Sequence, residues 1–421
     1  MKPFVGQITV YLLVFLSTGA ITGIFTGQEA MHTGTTAAAH NPALQVTYSV
    51  IYLLLVLLLV SERREILSLL LREKWMTILV LFALASTLWS VEPGDTFRRS
   101  IGLLGTTLAG LYIGTHFEPR QQIRILAVCI VVAAVLSLFV GIAFPPIGVT
   151  TDGWQGVFFQ KNSLGRMMCL GIVCLSFIAA GDRRNRLFSL LVIPLCITLL
   201  LLSESVTAAF VAFGLLISIP FIPILRWPIG RLAAIGVAFA AVIIPLGVWV
   251  LENSDVVLRA LGKQSHLTGR LPLWAHIKAE ILTMPILGHG YAAFWSTPES
   301  DRLRQTLNWD VMNAHNGFLE MMLGLGIVGL VIFLFGLFRN FLLAFLVARE
   351  SDEIEQAWPL FFLGFCILWE LTDSTLFTGN SVFWLLYAAN AFWLVEARAK
   401  VNSEASQGFA VSNHAEELLL S

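Results

Sequence analysis

Charged residues are scarce in this sequence: Asp, Glu, Lys and Arg make up 13% of its 421 residues, whereas hydrophobic residues make up 57%. A soluble chain of this length needs many more charges on its surface, so a soluble globular class is excluded. The formal net charge of −1 gives no support to binding of nucleic acid or of an anionic surface through bulk charge. We therefore interpret the chain as an integral membrane protein.

Cysteines are few, and the common cofactor motifs are lacking. The five cysteines all lie within apolar runs, which is typical of small buried side chains and not of a disulfide or metal framework. The chain has no Gly-rich phosphate loop ending in Lys–Ser/Thr and no His–Glu–x–x–His zinc motif. It also lacks the aspartate pair on an outer loop that a metal-dependent sugar-nucleotide transferase needs. We accordingly predict no nucleotide hydrolysis and no zinc site of the His–Glu–x–x–His or cysteine type.

Long apolar runs occupy most of the chain. A helix crosses the hydrocarbon in about 20 residues, and on this basis the sequence predicts about twelve transmembrane helices. They are expected at residues 6–26, 44–61, 75–91, 97–116, 122–144, 163–180, 187–203, 206–225, 230–251, 313–338, 357–375 and 381–397. The predicted fold class is all-α, with one polytopic membrane domain over residues 1–400. The polar tail over 401–421 is expected to be disordered and cytoplasmic.

Basic residues indicate the orientation, because cytoplasmic loops are enriched in Lys and Arg. Alternate loops, together with both termini and residues 339–356, carry 16 of the 26 Lys and Arg residues. This bias predicts that both termini are cytoplasmic and that the long hydrophilic loop 252–312 is periplasmic. Within that loop, residues 268–283 are predicted to form an amphipathic helix suited to the membrane interface.

Ionisable residues at membrane depth are costly, so they are candidates for function. In the predicted topology they lie toward the outer ends of the spans: Arg98, Arg99, Lys161, Arg166, Glu204, His315, Glu320, Glu370 and Asp373. A cavity that opens to the outer face and contains both cations and carboxylates accounts for this distribution. A proton or ion path would instead leave polar residues at mid-membrane and on both sides.

His315 is the candidate general base, because histidine takes up and releases a proton near neutral pH. It lies in the polar segment 313–320, which opens an apolar helix with glycines on its surface. In the alternative interpretation, Asn313 caps this helix and His315 is incidental. Asn316 and Glu320 share a helix face, so Glu320 either orients the polar groups of the site or pairs with an arginine.

Cations on the same side are candidate ligands for an anion, since a guanidinium binds a phosphate through two parallel hydrogen bonds. They are Arg270, Lys161 with its neighbour Asn162, Arg166, and the pair Arg98 and Arg99. Each has an ordinary alternative. Arg270 is then a loop arginine at lipid headgroups, and the others are side chains that snorkel at span ends.

Three segments together resemble the O-antigen ligase/polymerase family of bacterial membrane glycosyltransferases, particularly its exopolysaccharide-production branch. They are Gly156–Gly165, which contains Lys161–Asn162–Ser163–Leu164–Gly165, then Gly269–Trp274 with Pro285–Gly290, and Ala314–Leu319 with Gly324–Gly329. The resemblance covers residues 75–395. One position departs from the family: Val206 stands where a basic residue is frequent, in Ser203–Glu204–Ser205–Val206–Thr207.

The resemblance implies a metal-independent glycosyltransferase of the bacterial inner membrane that uses no cofactor. Its donor would be a glycan on undecaprenyl diphosphate at the periplasmic face, and its acceptor a hydroxyl of a carrier-linked glycan or of lipid A–core. A flippase and a chain-length regulator of the same pathway are the further expected partners.

The same resemblance suggests roles for the candidate residues. His315 would be the base or the group that orients the acceptor, and Arg270 would hold the diphosphate. Because Val206 cannot hold a phosphate, Lys161, Arg166 or the pair Arg98 and Arg99 would supply the second cation, and we choose Lys161. The further predicted substrate-binding residues are Asn162, Arg166, Arg98, Arg99, Asn316 and Glu320. Polymerisation of exopolysaccharide repeats is the first hypothesis and O-antigen ligation the second. The alternative from another class is a transporter of a lipid-linked glycan or a small solute.

Overall fold

The computed structural model of the chain describes residues 2–20, 42–238, 241 and 267–400, whose regular structure is almost entirely helical. The α-helices are α1 Lys2–Ser17, α2 Pro42–Leu59, α3 Arg63–Arg72, α4 Lys74–Ala85, α5 Pro93–His116, α6 Pro119–Ala143, α7 Pro145–Gly148, α8 Lys161–Gly181, α9 Arg186–Leu202, α10 Val206–Ser218, α11 Ile229–Ala238, α12 Leu267–Thr283, α13 Pro298–Leu307, α14 Gly317–Glu350, α15 Trp358–Glu370 and α16, residues 382–400. Short 3₁₀ helices lie at Val60–Glu62, Ser86–Leu88, Ile219–Arg226, Phe294–Ser296 and Ile354–Ala357. A small antiparallel hairpin pairs β1 Val149–Thr150 with β2 Gly153–Trp154.

Helices lie where the apolar runs predict them, wherever the structure describes those runs. Segments long and apolar enough to cross a membrane are Pro42–Leu59, Pro119–Ala143, Lys161–Gly181, Val206–Arg226 and Gly317–Glu350. Shorter apolar helices occupy Gly6–Ser17, Lys74–Leu88, Arg186–Leu202 and Ile229–Ala238. The all-α membrane class is therefore confirmed, while the number of about twelve crossings stays a prediction. The ends of the first and ninth predicted spans, loop residues 252–266 and the tail 401–421 lie outside the described residues.

Burial differs sharply between the helices, and this difference places them in the bundle. In the apolar stretch of α8, 78% of the residues are buried inside the protein, whereas in that of α2 the share is 22%. A helix that is apolar on all sides and covered by protein lies in the interior, and one whose apolar residues stay uncovered faces lipid. Since α8 begins at Lys161 and contains Arg166, both candidate cations lie on the central helix of the bundle.

The two ends of the bundle separate the polar residues as the topology predicts. At one end, ion pairs join segments predicted to be cytoplasmic: Arg120 with Glu355, Arg226 with Asp352, and Glu350 with Arg398. His116 Nε2 lies 3.4 Å from Glu62 Oε1 at the same end. At the other end, contacts join segments predicted to be periplasmic: Asp95 with Ser296, Arg99 with Ala292, and Arg166 with Asp373. The grouping of the segments is therefore observed, whereas the membrane side that each end faces stays a prediction.

One glycine of α14, Gly326, breaks the helix, which the expectation of glycines on a helix surface did not include. Gly326 has φ +63° and ψ −167°, which is not helical. The loop after α12 fills the break: Ile327 N donates to Pro285 O at 2.9 Å, and Gly290 N donates to Gly324 O at 2.9 Å. A Cβ on Gly326 would lie 2.2 Å from Ile286 O. Only glycine permits this close backbone approach, which joins two of the motifs named above.

The apolar face of α12 is covered by the protein, so it does not lie against the membrane interface as expected. Leu273 and Ile277 are fully buried, in a cluster with Trp295, Leu303 and Ala314. Because helix α12 packs on α13 and on the segment before α14, it is part of the structure that supports the residues around His315.

Candidate functional site

His315 lies in the turn before α14, and its own backbone is strained. Its φ of +46° is in the left-handed region, which is uncommon for a residue with a side chain. On one side, His315 N donates to Asn313 Oδ1 at 2.8 Å, and on the other, Asn316 N donates to Ser374 Oγ at 3.1 Å. These two hydrogen bonds hold the turn in the conformation that places the imidazole.

Asn316, and not Asn313, is the N-cap of α14. Its Oδ1 accepts hydrogen bonds from Phe318 N at 3.1 Å and Leu319 N at 3.0 Å, which satisfies two free amides of the first turn. The interpretation in which Asn313 caps this helix is therefore wrong. The amide oxygen of Asn316 is thus used by the helix. Its predicted contact with substrate stays a prediction.

Asp373 brings His315 and Arg166 together. His315 Nδ1 lies 3.5 Å from Asp373 Oδ1, and Arg166 Nη1 donates to Asp373 Oδ2 at 2.7 Å. The guanidinium of Arg166 also packs over the rings of Trp369 and Phe383, 5.5 and 5.0 Å from their centroids. Helix α8, the turn after α15 and the turn before α14 thus meet at one carboxylate.

The other ring nitrogen of His315, Nε2, is available to react. The imidazole lies parallel to the indole of Trp309, with 5.1 Å between centroids and 9° between planes. Within the described part of the chain, Nε2 makes no hydrogen bond. When Nδ1 carries its hydrogen toward a carboxylate, Nε2 of a neutral imidazole is the acceptor. Nε2 is therefore the atom of this site that can take up a proton.

Arg270, in the first turn of α12, supplies a cation within electrostatic reach of Asp373. Burial lowers the pKa of its half-buried guanidinium, and the attraction of Asp373 opposes the shift. The group still stays protonated at neutral pH. It has no ion pair or hydrogen bond with any described residue, so its five donors are available to an anion.

Glu320 orients the turn that carries His315. Its two carboxylate oxygens accept hydrogen bonds from Trp295 Nε1 at 2.7 Å and from Ala314 N at 2.8 Å. Because Ala314 directly precedes His315, the carboxylate holds the backbone one residue from the imidazole. Of the two roles weighed for Glu320, the geometry favours orientation of the site, while its predicted contact with substrate stays a prediction.

Lys161 is held by the hairpin that precedes α8. Its ammonium donates to the carbonyl of Asp152 at 2.6 Å. A carbonyl does not neutralise the charge, and no described carboxylate forms an ion pair with Lys161, so the positive charge is retained. Arg166 lies five residues further along the helix, about 7.5 Å along its axis. Lys161 and Asn162 therefore start the helix that carries Arg166, and their contact with a substrate stays a prediction.

Arg98 and Arg99 bind another part of the protein. Arg98 forms a 2.9 Å ion pair with Asp95, and Arg99 lies 3.6 Å from the same carboxylate. Arg99 also donates to the carbonyl of Ala292 and, at 3.2 Å, to Ser296 Oγ. These contacts attach the loop after α12 to α5. The predicted role of the pair in substrate binding is not needed to explain their position.

Two residues of this site were not among the predicted site residues. Asp373 stood out in the sequence only as one of two carboxylates near the outer end of a span, and nothing there paired it with His315 or Arg166. Trp309 gave no signal at all, because an aromatic residue in a polar loop is ordinary. Within the described residues, no group of three or more His, Cys, Asp or Glu side chains is arranged to hold a metal ion.

Comparison with known proteins finds a family at this site. Residues 189–334 match the family described as O-Antigen ligase. The family similarity thus covers about a third of the chain. The match includes Arg270, His315, Asn316 and Glu320, and it ends before Asp373. The resemblance stated from the sequence motifs is therefore confirmed.

Individual relatives extend the similarity to more of the chain. The "Exopolysaccharide production protein ExoQ" of Rhizobium meliloti is 26% identical over 339 residues, which cover 76% of each chain. A protein of Rickettsia conorii named "Putative polysaccharide ligase" is 26% identical over 233 residues, 52% of this chain and 54% of its own. A protein of the same name from Rickettsia felis is 24% identical over 261 residues, 59% of this chain and 63% of its own. The chain is thus similar to O-antigen ligases over residues 189–334 and, over more of its length, to an exopolysaccharide-production protein.

Proposed function

We propose that this protein is a membrane glycosyltransferase that extends a polysaccharide at the periplasmic face of the bacterial inner membrane. The donor is a glycan on undecaprenyl diphosphate, and the acceptor is a hydroxyl of another carrier-linked repeat unit. The observation that carries this proposal is the arrangement around Asp373. His315 contacts this carboxylate through Nδ1, and Arg270, which forms no ion pair with a described residue, lies within its electrostatic reach.

The transfer balances with these groups alone. His315 Nε2 takes the proton of the acceptor hydroxyl as its oxygen attacks the anomeric carbon of the donor. The bond from that carbon to the diphosphate oxygen breaks, and the carrier diphosphate leaves with the electron pair. Attack opposite the leaving group inverts the anomeric centre. Asp373 faces Nδ1 and stabilises the imidazolium that forms.

Charge determines which cations serve the leaving diphosphate. Arg166 is paired with Asp373, and Arg98 and Arg99 both lie against Asp95, so each of these three arginines already has a carboxylate partner. Arg270 and Lys161 have no such carboxylate among the described residues. An uncompensated cation stabilises the negative charge that develops on the leaving oxygen more strongly than a paired one. We therefore assign the diphosphate to Arg270, with Lys161 as the second cation.

Polymerisation is preferred to ligation because the similarity to the exopolysaccharide-production protein covers 76% of the chain, against 52% and 59% for the ligase-named relatives. Transfer of the glycan to lipid A–core is the second candidate.

The test is His315→Ala in the native host, with His315→Gln as a second variant of similar polarity. Lipid-linked glycans are extracted and sized, and membrane levels of the protein are measured in parallel. Single repeats that accumulate on the carrier support polymerisation, and long carrier-linked polymer supports ligation. His276→Ala is the matched control, because His276 is exposed on α12 and its Nδ1 lies 2.8 Å from Pro272 O. Unchanged glycans in both His315 variants, with the protein present, would refute both transferase readings and favour a transporter.

A further inference from the structure

The mechanism proposed above does not use the parallel contact between the rings of Trp309 and His315. We propose that Trp309 is a positioning residue: its indole holds the plane of the imidazole, so that Nδ1 faces Asp373 while Nε2 faces the acceptor hydroxyl. This inference rests on the proposed function, because fixing the imidazole matters only if His315 is the base.

The geometry of the two rings restricts the motion that would harm such a base. Their centroids are 5.1 Å apart and their planes differ by 9°, so the indole covers one face of the imidazole. Rotation of the imidazole about its Cβ–Cγ bond would tilt it against the indole. The same rotation would move Nδ1 away from Asp373, which lies 3.5 Å away. The 3.5 Å contact is longer than an ordinary hydrogen bond, so it needs support from a second group.

Trp309 can act in this way because its own loop is firmly held by Arg304. Trp309 N donates to Arg304 O at 3.2 Å, and Arg304 Nε donates to Val311 O at 3.0 Å. The loop is thereby fixed before and after the tryptophan. Arg304 also pairs with Asp301 at 2.5 Å, and its side chain is only 15% exposed. The backbone on both sides of the indole is therefore held in place.

The same arginine also supports the backbone of His315. Arg304 Nη2 donates to Trp295 O at 2.9 Å, and the indole of Trp295 donates to Glu320, which holds Ala314 N. Helix α13 thus reaches His315 by two routes, one through the ring of Trp309 and one through the turn before α14. Such convergence is expected where a side chain must be held within fractions of an ångström of its working position.

A rival role for Trp309 is direct stacking on a sugar, as aromatic residues often provide. The two roles differ in kinetics. A residue that acts through His315 changes kcat and leaves the KM of either glycan nearly unchanged, whereas a sugar platform changes the KM of the glycan it contacts.

The experiment measures kcat and KM with the purified full chain in lipid nanodiscs. The probe is the undecaprenyl-diphosphate-linked repeat unit extracted from the native host. We expect Trp309→Leu to lower kcat about 10- to 100-fold, as misplacement of a catalytic group by 1 Å does, with KM nearly unchanged. Trp309→Phe, which keeps a flat ring, should restore most of the loss. Arg304→Leu, which frees the loop without touching either ring, should resemble Trp309→Leu. Trp227→Leu, at an exposed tryptophan outside this cluster, is the control.

A double variant separates this inference from the proposed function. If Trp309 acts through His315, Trp309→Leu should cost nothing further in a His315→Ala background. A wild-type kcat for Trp309→Leu, a rise in KM alone, or an additional loss in the double variant would each overturn the positioning role. Full activity of His315→Ala would overturn the proposed function itself.

Discussion

His315 Nδ1 lies 3.5 Å from Asp373 Oδ1, while the other oxygen of that carboxylate binds Arg166 at 2.7 Å. The two residues are 58 positions apart in sequence and belong to turns at the ends of two different helices. One carboxylate therefore orients the candidate base and neutralises the nearest buried arginine. This sharing means that Asp373 cannot be changed without disturbing both partners.

Asp373→Asn should lower the rate of glycan transfer at least as much as loss of a weak general base does, about 100-fold. The amide keeps the size of the side chain, but it neither stabilises an imidazolium nor neutralises Arg166. Transfer by membranes that contain equal amounts of variant and native protein is the measurement. Asp352→Asn, which changes a 98% exposed carboxylate at the other end of the bundle, should leave the rate of glycan transfer unchanged. Near-native transfer by Asp373→Asn would remove Asp373 from the mechanism.

Arg270→Ala should reduce kcat/KM for the carrier-linked donor about 10- to 100-fold, since a hydrogen bond to a charged group contributes roughly 1.5–3 kcal/mol. Arg270→Lys should recover part of this loss, because it keeps the charge but not the two parallel donors. Initial rates at varied donor concentration give the measurement. Arg302→Ala removes a 77% exposed arginine from the same loop and should have little effect. Equal rates for the two alanine variants would contradict the assignment of Arg270 to the diphosphate.

Gly288→Ala should destabilise the protein, whereas Gly214→Ala should not. Gly288 has φ +69°, and a Cβ there would lie 2.5 Å from the backbone carbonyl carbon of Gly324. A left-handed alanine costs roughly 1 kcal/mol before any clash, and the backbone it meets cannot move away cheaply. Gly214 lies within α10 with nothing within 4 Å of the added Cβ, so alanine should be neutral or mildly stabilising. Thermal unfolding in detergent measures both. Equal melting temperatures would show that the loop does not need its fit into the break of α14.

The lengths of the apolar runs were enough to place the helices, because a run of apolar residues long enough to cross the bilayer has few other ways to satisfy its backbone. The motifs also led to His315 and Arg270, and to the loop between them. The break at Gly326 was not predictable in the same way. A glycine on a helix surface and a glycine where another loop enters the helix look alike in one dimension. The difference lies in Ile286 and Pro285, about 40 positions earlier in the chain.

The sequence also could not predict which charged residues pair with each other. Arg98, Arg99 and Arg166 were indistinguishable from Arg270 as cations near the outer ends of spans. Their carboxylate partners Asp95 and Asp373 became clear only in three dimensions, where they leave Arg270 as the arginine without one among the described residues. Charge compensation depends on distances of a few ångströms, which spacing along the chain does not determine.

Asp182, at the C-terminal end of α8, should make stability depend on acid pH. Hydrogen bonds from Asn185, and then from Arg124 and the backbone of Arg184, lower the pKa of this carboxyl to about 2. A carboxyl whose pKa is lower in the folded state stabilises the protein at pH values above its ordinary pKa near 3.9. This stabilisation is lost as the pH falls toward 2. The native protein should therefore unfold at a higher temperature than Asp182→Asn at pH 6, and the gap should close between about pH 4 and 2. Asp352→Asn, whose carboxylate is almost fully exposed, should show no such gap. A constant difference across this range would exclude the charge of Asp182 as its cause.

The orientation of the bundle is open to a direct labelling test, since the grouping of polar segments at two ends does not itself say which end is cytoplasmic. The five native cysteines are all buried, so a single introduced thiol should report without their removal. Arg302→Cys, in the predicted periplasmic loop, should react with a membrane-impermeant maleimide in intact spheroplasts. Asp352→Cys, 98% exposed at the opposite end, should react only after the membrane is permeabilised. The reverse labelling pattern would mean that the membrane topology is opposite to the predicted one. It would place His315 and Arg270 in the cytoplasm, away from a periplasmic donor, and the proposed reaction would then fail on topology alone.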